Sequence, residues 1–252
     1  MISILQALIY SVVQGITEWL PVSSSAHIAL LQNIFGFQSL PYMVFLQFAS
    51  ILAVIFVFWK DIVKLFNFKK ESLKYLGMLI LALIPVVIVG YFFEKLRLEL
   101  STFYYIGIFF MISGMIVYST KFMHPREGKK LNFFDSFFIG VVQLVSLFPG
   151  ISRSGSTISA GLFSGLKKED AVKFSFLLGV LTILGASVLE LKGLALQSIS
   201  YSILAVTFIL TFLVSIFSIK ILLKIVRGDN FYKFGIYDFI LGALVLVWSF
   251  VH

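Results

Sequence analysis

Cysteine is absent from the chain, which excludes disulfides and thiolate metal sites and leaves the compartment open. Charge is scarce as well. Asp, Glu, Lys and Arg make up 13% of the residues against 60% hydrophobic, whereas a soluble domain carries about 25% charged residues. No water-compatible surface can be built from that composition, so the chain is an integral membrane protein. Carboxylates are scarcer than cations, 12 against 20, for a formal net charge of +8. Nucleic acid could explain such an excess, but basic loops on the cytoplasmic side of a membrane give it equally and fit the hydrophobicity. No Lys or Arg precedes Lys60. The apolar N-terminus therefore lacks the basic region of a signal peptide and is expected to remain as structure. No stretch reads as a linker or soluble appendage, so residues 1–252 are expected to form one membrane domain.

Against this background two charges stand alone. Glu18 is the only charged side chain before Lys60, and Arg153 the only one between Asp135 and Lys167. Each lies beside a proline and a run of hydroxyls, Pro21-Val-Ser23-Ser24-Ser25-Ala-His27 and Pro149-Gly-Ile-Ser152-Arg153-Ser154-Gly-Ser156-Thr157. A charge within a membrane costs at least about 3 kcal/mol near the bilayer centre and is usually paired or lining a polar cavity. The two stretches are expected to meet and form one phosphate-handling site.

Along the chain, residues 1–17 and 24–35 are apolar helix candidates, each short of the roughly 20 residues that cross a bilayer. They read as a re-entrant pair. Spans follow at Pro41–Trp59, Tyr75–Phe93, where Pro85 is expected to kink the helix, and Leu100–Thr120. The second half repeats the plan: an apolar helix over Phe133–Phe148, a short one over Ser152–Leu166, and spans near 171–190, 198–222 and 235–251. Glu190 and Asp238 fall near span ends, where snorkelling to the interface accounts for them. The expected fold is all-α, six transmembrane helices plus two re-entrant helix pairs, with halves of about 1–121 and 133–251. Three spans per half reverse the orientation, making an inverted repeat of the kind transporters use. In that topology all of the 20 Lys and Arg except Lys95, Arg97, Lys192 and Arg153 fall on one side, a strong positive-inside asymmetry that puts both termini outside the cytoplasm.

Gln14 and Glu18, four apart, share a helix face. A carboxylate and an amide oxygen suit a hard divalent cation, Mg²⁺ or Ca²⁺, brought in with a phosphate. Pro21 and the three serines suit a helix start, where Ser23, Ser24 and Ser25 can cap free N–H groups or hold a phosphate there. His27 offers a base, an acid or a nucleophile. Arg153 can grip two phosphate oxygens through its planar fork, with Ser152, Ser154, Ser156 and Thr157 as further donors. A Glu18–Arg153 ion pair of purely structural purpose would leave the clustered hydroxyls unexplained.

At these residues the chain resembles the undecaprenyl-diphosphate phosphatases of the BacA/UppP type. That family carries a Glu/Gln-x-x-x-Glu motif running into Pro-Val-Ser-Ser-x-x-His, and later Pro-Gly-x-Ser-Arg-Ser-Gly-Ser-Thr. The resemblance covers essentially the whole chain. It implies an integral membrane phosphatase that removes the terminal phosphate of a polyprenyl diphosphate, leaving the monophosphate carrier lipid of cell-wall synthesis, with bacitracin sensitivity when activity is lost. It implies Glu18 as the essential carboxylate, Gln14 as its partner, Ser24 and His27 for attack or proton transfer, and Arg153 as the phosphate clamp. Gln14 stands where the first Glu is commoner, which removes one anionic ligand, and Ala26 where Gly is frequent. The alternative from another class is a transporter or flippase for a polyprenyl phosphate or small anion, which the inverted repeat also suits. The density of hydroxyls beside Glu18 and His27 favours hydrolysis. The sequence is silent on oligomeric state and leaves a homodimer open.

Overall fold

The computed structural model describes residues 2–190 and 199–251. Lys192 lies outside them, as do the side chains of Lys95, Arg97 and Glu190. Among the described residues the chain is helical without strands: α1 Ile4–Thr17, α2 Ser24–Phe35, α3 Leu40–Val57, α4 Trp59–Leu65, α5 Lys70–Glu99 and α6 Phe103–Ser119. The second half comprises α7 Phe133–Gln143, which continues into a 3-10 turn Leu144–Leu147, then α8 Arg153–Phe163, α9 Lys168–Glu190, α10 Tyr201–Arg227 and α11 Lys233–Ser249. Local chemistry sets the starts. Ser3 and Gln6 close a capping box on α1, and Asn132 and Asp135 close one on α7, so that free N–H groups at both ends find acceptors. Ser39 caps α3, where Pro41 fits the first turn. Pro85 sits inside a continuous α5.

Helices α3, α5, α9 and α10, and α6 together with the 3-10 turn Thr120–Phe122 that extends it, are long and apolar enough to cross a membrane. The sixth expected span is α11, with only 17 residues and a length of about 25 Å. It lies antiparallel along α6. A Cβ on Gly107 would come within 2.9 Å of the Gly242 carbonyl, and one on Gly114 within 2.7 Å of the Gly235 carbonyl. Beyond them Phe103 meets Trp248 and Tyr118 meets Tyr232. Four glycines thus let two backbones touch, the usual device for close packing in lipid, and α11 shares the depth of α6 along its length. Helices α1 and α2, 14 and 12 residues, reach only about 21 and 18 Å, as a re-entrant pair requires.

The helix order repeats. Ile4, Ser24, Leu40, Lys70 and Phe103 open α1, α2, α3, α5 and α6; Phe133, Arg153, Lys168, Tyr201 and Lys233 open their counterparts. Packing follows the same register: α1 lies on α10 as α7 lies on α5. The Ser11 carbonyl accepts from Thr211 of α10, and Gly140, the counterpart of Ser11, presses on the carbonyl of Ala82 in α5. The register also places Ser24 and Arg153 at one position, the first residue of α2 and of α8. Equivalent elements therefore deliver different chemistry to one place.

Candidate active site

The α1–α2 junction and the start of α8 meet. Arg153 Nη2 donates to Glu18 Oε1 at 2.8 Å, and the two side chains are 15% and 5% exposed. The other carboxylate oxygen, Oε2, accepts from Gln14 Nε2 at 2.7 Å and from Ser24 Oγ at 2.8 Å. Glu18 is thus held by a cation, an amide and a hydroxyl. Removing one partner of a buried ion pair costs about 3–5 kcal/mol, because the other charge is left without compensation. The Arg153 guanidinium lies over the Trp19 ring at 5.1 Å. Trp19 is itself fully buried, donating Nε1–H to the Ser50 carbonyl and packing on Phe176. The guanidinium also rests against Gly179 of α9, where a Cβ would overlap Nη1 at 1.9 Å and meet the Trp19 ring at 3.1 Å. Nη1 is buried and has no hydrogen-bond partner among the described residues, leaving a cationic donor free for an incoming oxyanion.

The two helix starts differ. Ser152 caps α8 in the ordinary way, its Oγ accepting from the Gly155 amide at 3.0 Å. Ser23 precedes α2 in the left-handed region, φ 58°, and makes no side-chain cap; its Oγ pairs with Ser25 Oγ at 3.3 Å instead. A non-glycine residue held there costs about 1–3 kcal/mol, and such strain gathers at functional sites. The first amides of α2, beside Ser24 and Glu18, are left without a side-chain acceptor, the arrangement that binds phosphate at a helix N-terminus. Of the two uses open to the serines, capping and phosphate binding, Ser23 does not serve the first. Ser23 follows a tight turn in which the Val22 amide donates to the Leu20 carbonyl at 2.8 Å, and its hydroxyl is directed to Ser25 rather than to the helix amides.

His27 lies one turn into α2, but its ring turns away from Glu18. Nδ1 contacts the Ser23 carbonyl at 2.9 Å and Nε2 the Tyr237 hydroxyl of α11 at 2.7 Å. A carbonyl only accepts, so in the neutral ring Nδ1 carries the proton and Nε2 accepts from Tyr237. Both residues line a cavity of about 680 Å³, walled by apolar side chains of α1, α10 and α11, including Ile16, Leu20, Ile225 and Phe234. Its size and lining suit a hydrocarbon chain.

Among the hydroxyls of the second motif, Ser154 joins the halves by donating to the Leu20 carbonyl at 2.9 Å and pairing with Ser152 at 3.2 Å. Ser156 donates to the Ser152 carbonyl, and Thr157 to the Arg153 carbonyl with a short contact to Ser175 of α9. Both are buried on helix faces that look into the protein, so the structure does not bring them to Glu18. For a divalent cation, Glu18 and Gln14 supply one carboxylate and one amide oxygen. No group of three His, Cys, Asp or Glu forms among the described residues. Both Glu18 oxygens are engaged, one with Arg153 and one with Gln14 Nε2 and Ser24, so a cation there would displace one of these bonds and take most of its ligands from substrate phosphate.

Four participants escaped the sequence reading. Trp19 adjoins Glu18 and could have been suspected. Gly179 and Tyr237 carry no local signal. Asp238, the only charge after Lys233, was assigned to the membrane interface. That assignment is corrected: Asp238 is fully buried and accepts from Ser113 of α6 at 2.8 Å, because the glycine-lined contact between α6 and α11 encloses it.

A family model described as bacitracin resistance protein BacA matches residues 7–244. The undecaprenyl-diphosphatase of Methanococcus vannielii is 38% identical over 254 residues, covering 97% of this chain and all of the relative. That of Caldicellulosiruptor bescii is 38% identical over 255 residues, 96% of each chain. That of Halothermothrix orenii is 33% identical over 253 residues, 97% of each. With the family model matched across nearly its whole length and relatives above 30% identity end to end, the chain belongs to the BacA bacitracin resistance protein family.

Proposed function

We propose that the chain is a multi-pass membrane phosphatase that hydrolyses undecaprenyl-type diphosphate to the monophosphate and inorganic phosphate. The family and its relatives support the activity. One observation carries the mechanism: Ser24 Oγ donates to Glu18 Oε2 at 2.8 Å, a hydroxyl nucleophile within reach of its base.

The apolar tail lies in the cavity beside His27 and Tyr237, and the diphosphate reaches the start of α2. Its negative charge competes with Glu18 for Arg153, whose free Nη1 and planar fork then hold the terminal phosphoryl oxygens. Ser24 Oγ attacks the terminal phosphorus and its proton passes to Glu18. The bond from phosphorus to the bridging oxygen breaks, and the polyprenyl monophosphate leaves. Water then attacks the phosphoserine, Glu18 assisting, and inorganic phosphate departs. The α2 amides and Arg153 stabilise charge on the equatorial oxygens, the main contribution available in phosphoryl transfer. Ser23 and Ser25 shape the turn, while Ser152 and Ser154 fix α8 against it. His27, held by Tyr237, sits where a proton could be exchanged with water during the second step. Glu18 and Gln14 would hold Mg²⁺ or Ca²⁺, which when bound spreads the phosphate charge. The positive-inside asymmetry supports an inverted repeat with both termini outside the cytoplasm. Every group named comes from one chain, so a homodimer would leave the site unchanged.

Phosphate release from farnesyl and undecaprenyl diphosphate by the detergent-purified chain tests the reading. Release that needs Mg²⁺ or Ca²⁺, stops in EDTA and fails in Glu18→Ala and Arg153→Ala is expected. Lipid bound and moved across liposomes without release would favour a transporter.

A further inference from the structure

Asp238 is a carboxyl enclosed within the membrane domain, where such a group needs a purpose or a partner. It lies on α11 between Gly235 and Gly242, on the face that touches α6, and is 0% exposed. Simple helix-to-helix glue would end at its bond with Ser113. Here the contact continues. Ser113 Oγ donates to Asp238 Oδ2 at 2.8 Å and, on the same oxygen, accepts from the Ser152 amide at 3.2 Å. An amide N–H only donates, so Ser113 Oγ accepts from Ser152, and its own O–H is turned to Asp238 Oδ2. Donation by a hydroxyl makes its oxygen a better acceptor in turn.

The pinned amide belongs to the residue before Arg153. The turn leading to it is seated on the same helix: Gly150, φ 113°, lies so close to α6 that a Cβ would meet the Ile106 carbonyl at 2.7 Å. From Ser152 onward α8 rises to present Arg153 to Glu18. Asp238 Oδ1 has no partner among the described residues, so the carboxyl is held there at a cost that packing alone does not repay.

We propose that Asp238 is a positioning residue for phosphoryl transfer, acting through Ser113 on the Ser152 amide to set where α8 begins and where Arg153 reaches. The proposal rests on the phosphatase reading. Its effect falls on turnover more than on binding, because the lipid tail supplies much of the affinity while Arg153 acts most on charge developing in the transition state.

The test measures kcat and KM for undecaprenyl diphosphate, with thermal unfolding in detergent, for Asp238→Ala, Asp238→Asn, Ser113→Ala and the Asp238→Ala/Ser113→Ala pair. Displacements near 1 Å cost roughly a hundred-fold, so Asp238→Ala and Ser113→Ala are each expected to lower kcat by about ten- to a hundred-fold with KM little changed. The double variant should be no slower than either single one. Asp238→Asn, whose amide oxygen accepts the same bond, should recover most of the rate. If Asp238→Ala does not fold, Ser113→Ala and Asp238→Asn decide. Wild-type kcat in a folded Ser113→Ala overturns the proposal, as do losses that multiply in the double variant. A wild-type chain that releases no phosphate overturns the phosphatase reading itself, and this proposal with it.

Discussion

Gly179→Ala separates the geometry of the site from its stability. A Cβ at position 179 would stand 1.9 Å from Arg153 Nη1, 2.9 Å from Cζ and 3.1 Å from the Trp19 ring. Carbon and nitrogen need about 3.4 Å, so the guanidinium must retreat by about 1.5 Å. It can do so, being the far end of a flexible side chain, and Ala improves the intrinsic propensity of α9 by about 1 kcal/mol. The gain is set against a loosened Arg153–Glu18 pair, so the fold should survive with an unfolding temperature near or somewhat below that of the parent. Catalysis should not. A displacement of this size costs on the order of a hundred-fold in rate, about 2.7 kcal/mol of transition-state stabilisation. Phosphate release from undecaprenyl diphosphate, measured with thermal unfolding, reads both quantities. Wild-type turnover in a well-folded Gly179→Ala would show that the position of Arg153 against Gly179 is irrelevant to the chemistry.

Arg153→Lys keeps a cation over Trp19 but loses the planar fork, and kcat should fall at least about a hundred-fold by the same positional argument; near-normal turnover would remove Arg153 from the phosphate clamp. Tyr237→Phe deletes the hydroxyl that meets His27 Nε2 at 2.7 Å. A loss of about ten-fold in kcat is expected, less than the roughly hundred-fold or more of a direct general acid–base group because Tyr237 acts only by holding His27, and unchanged kcat would limit the contact to holding α2 on α11. Gly114→Val would drive its side chain into the Gly235 carbonyl, 2.7 Å from a Cβ. That backbone cannot yield, so aggregation or a sharply lowered unfolding temperature on size-exclusion and thermal assays should follow, whatever the activity.

Much of this arrangement is legible in the sequence because charge is so rare in it. Glu18 and Arg153 stand out against long apolar stretches, and their approach to 2.8 Å follows the expected meeting of two re-entrant pairs. The hydroxyl runs mark the same two helix starts. What stays hidden is direction. Ser23 can be read as a cap or as a phosphate donor, yet it stands at positive φ without capping, and this leaves the α2 amides open. Ser156 and Thr157 lie on the same side of α8 as Arg153 but one turn further along, where their hydroxyls close on the Ser152 and Arg153 carbonyls and Thr157 meets Ser175 of α9 instead of reaching Glu18. Asp238 reads as an interfacial residue because its position near a span end is visible and its enclosure by Gly107, Gly114, Gly235 and Gly242 is not. Tyr237 and Gly179 matter only through residues more than a hundred and more than twenty positions away respectively, and no local pattern encodes such contacts.

The pairing of Ser24 with Glu18 is the centre of the account, and an acid quench addresses it most directly. Undecaprenyl diphosphate labelled in its terminal phosphate would be mixed with the purified chain, quenched within one turnover and digested. The account predicts label on Ser24 as an acid-stable phosphoserine, absent in Ser24→Ala, which should also lose turnover. Full phosphate release by Ser24→Ala would contradict it.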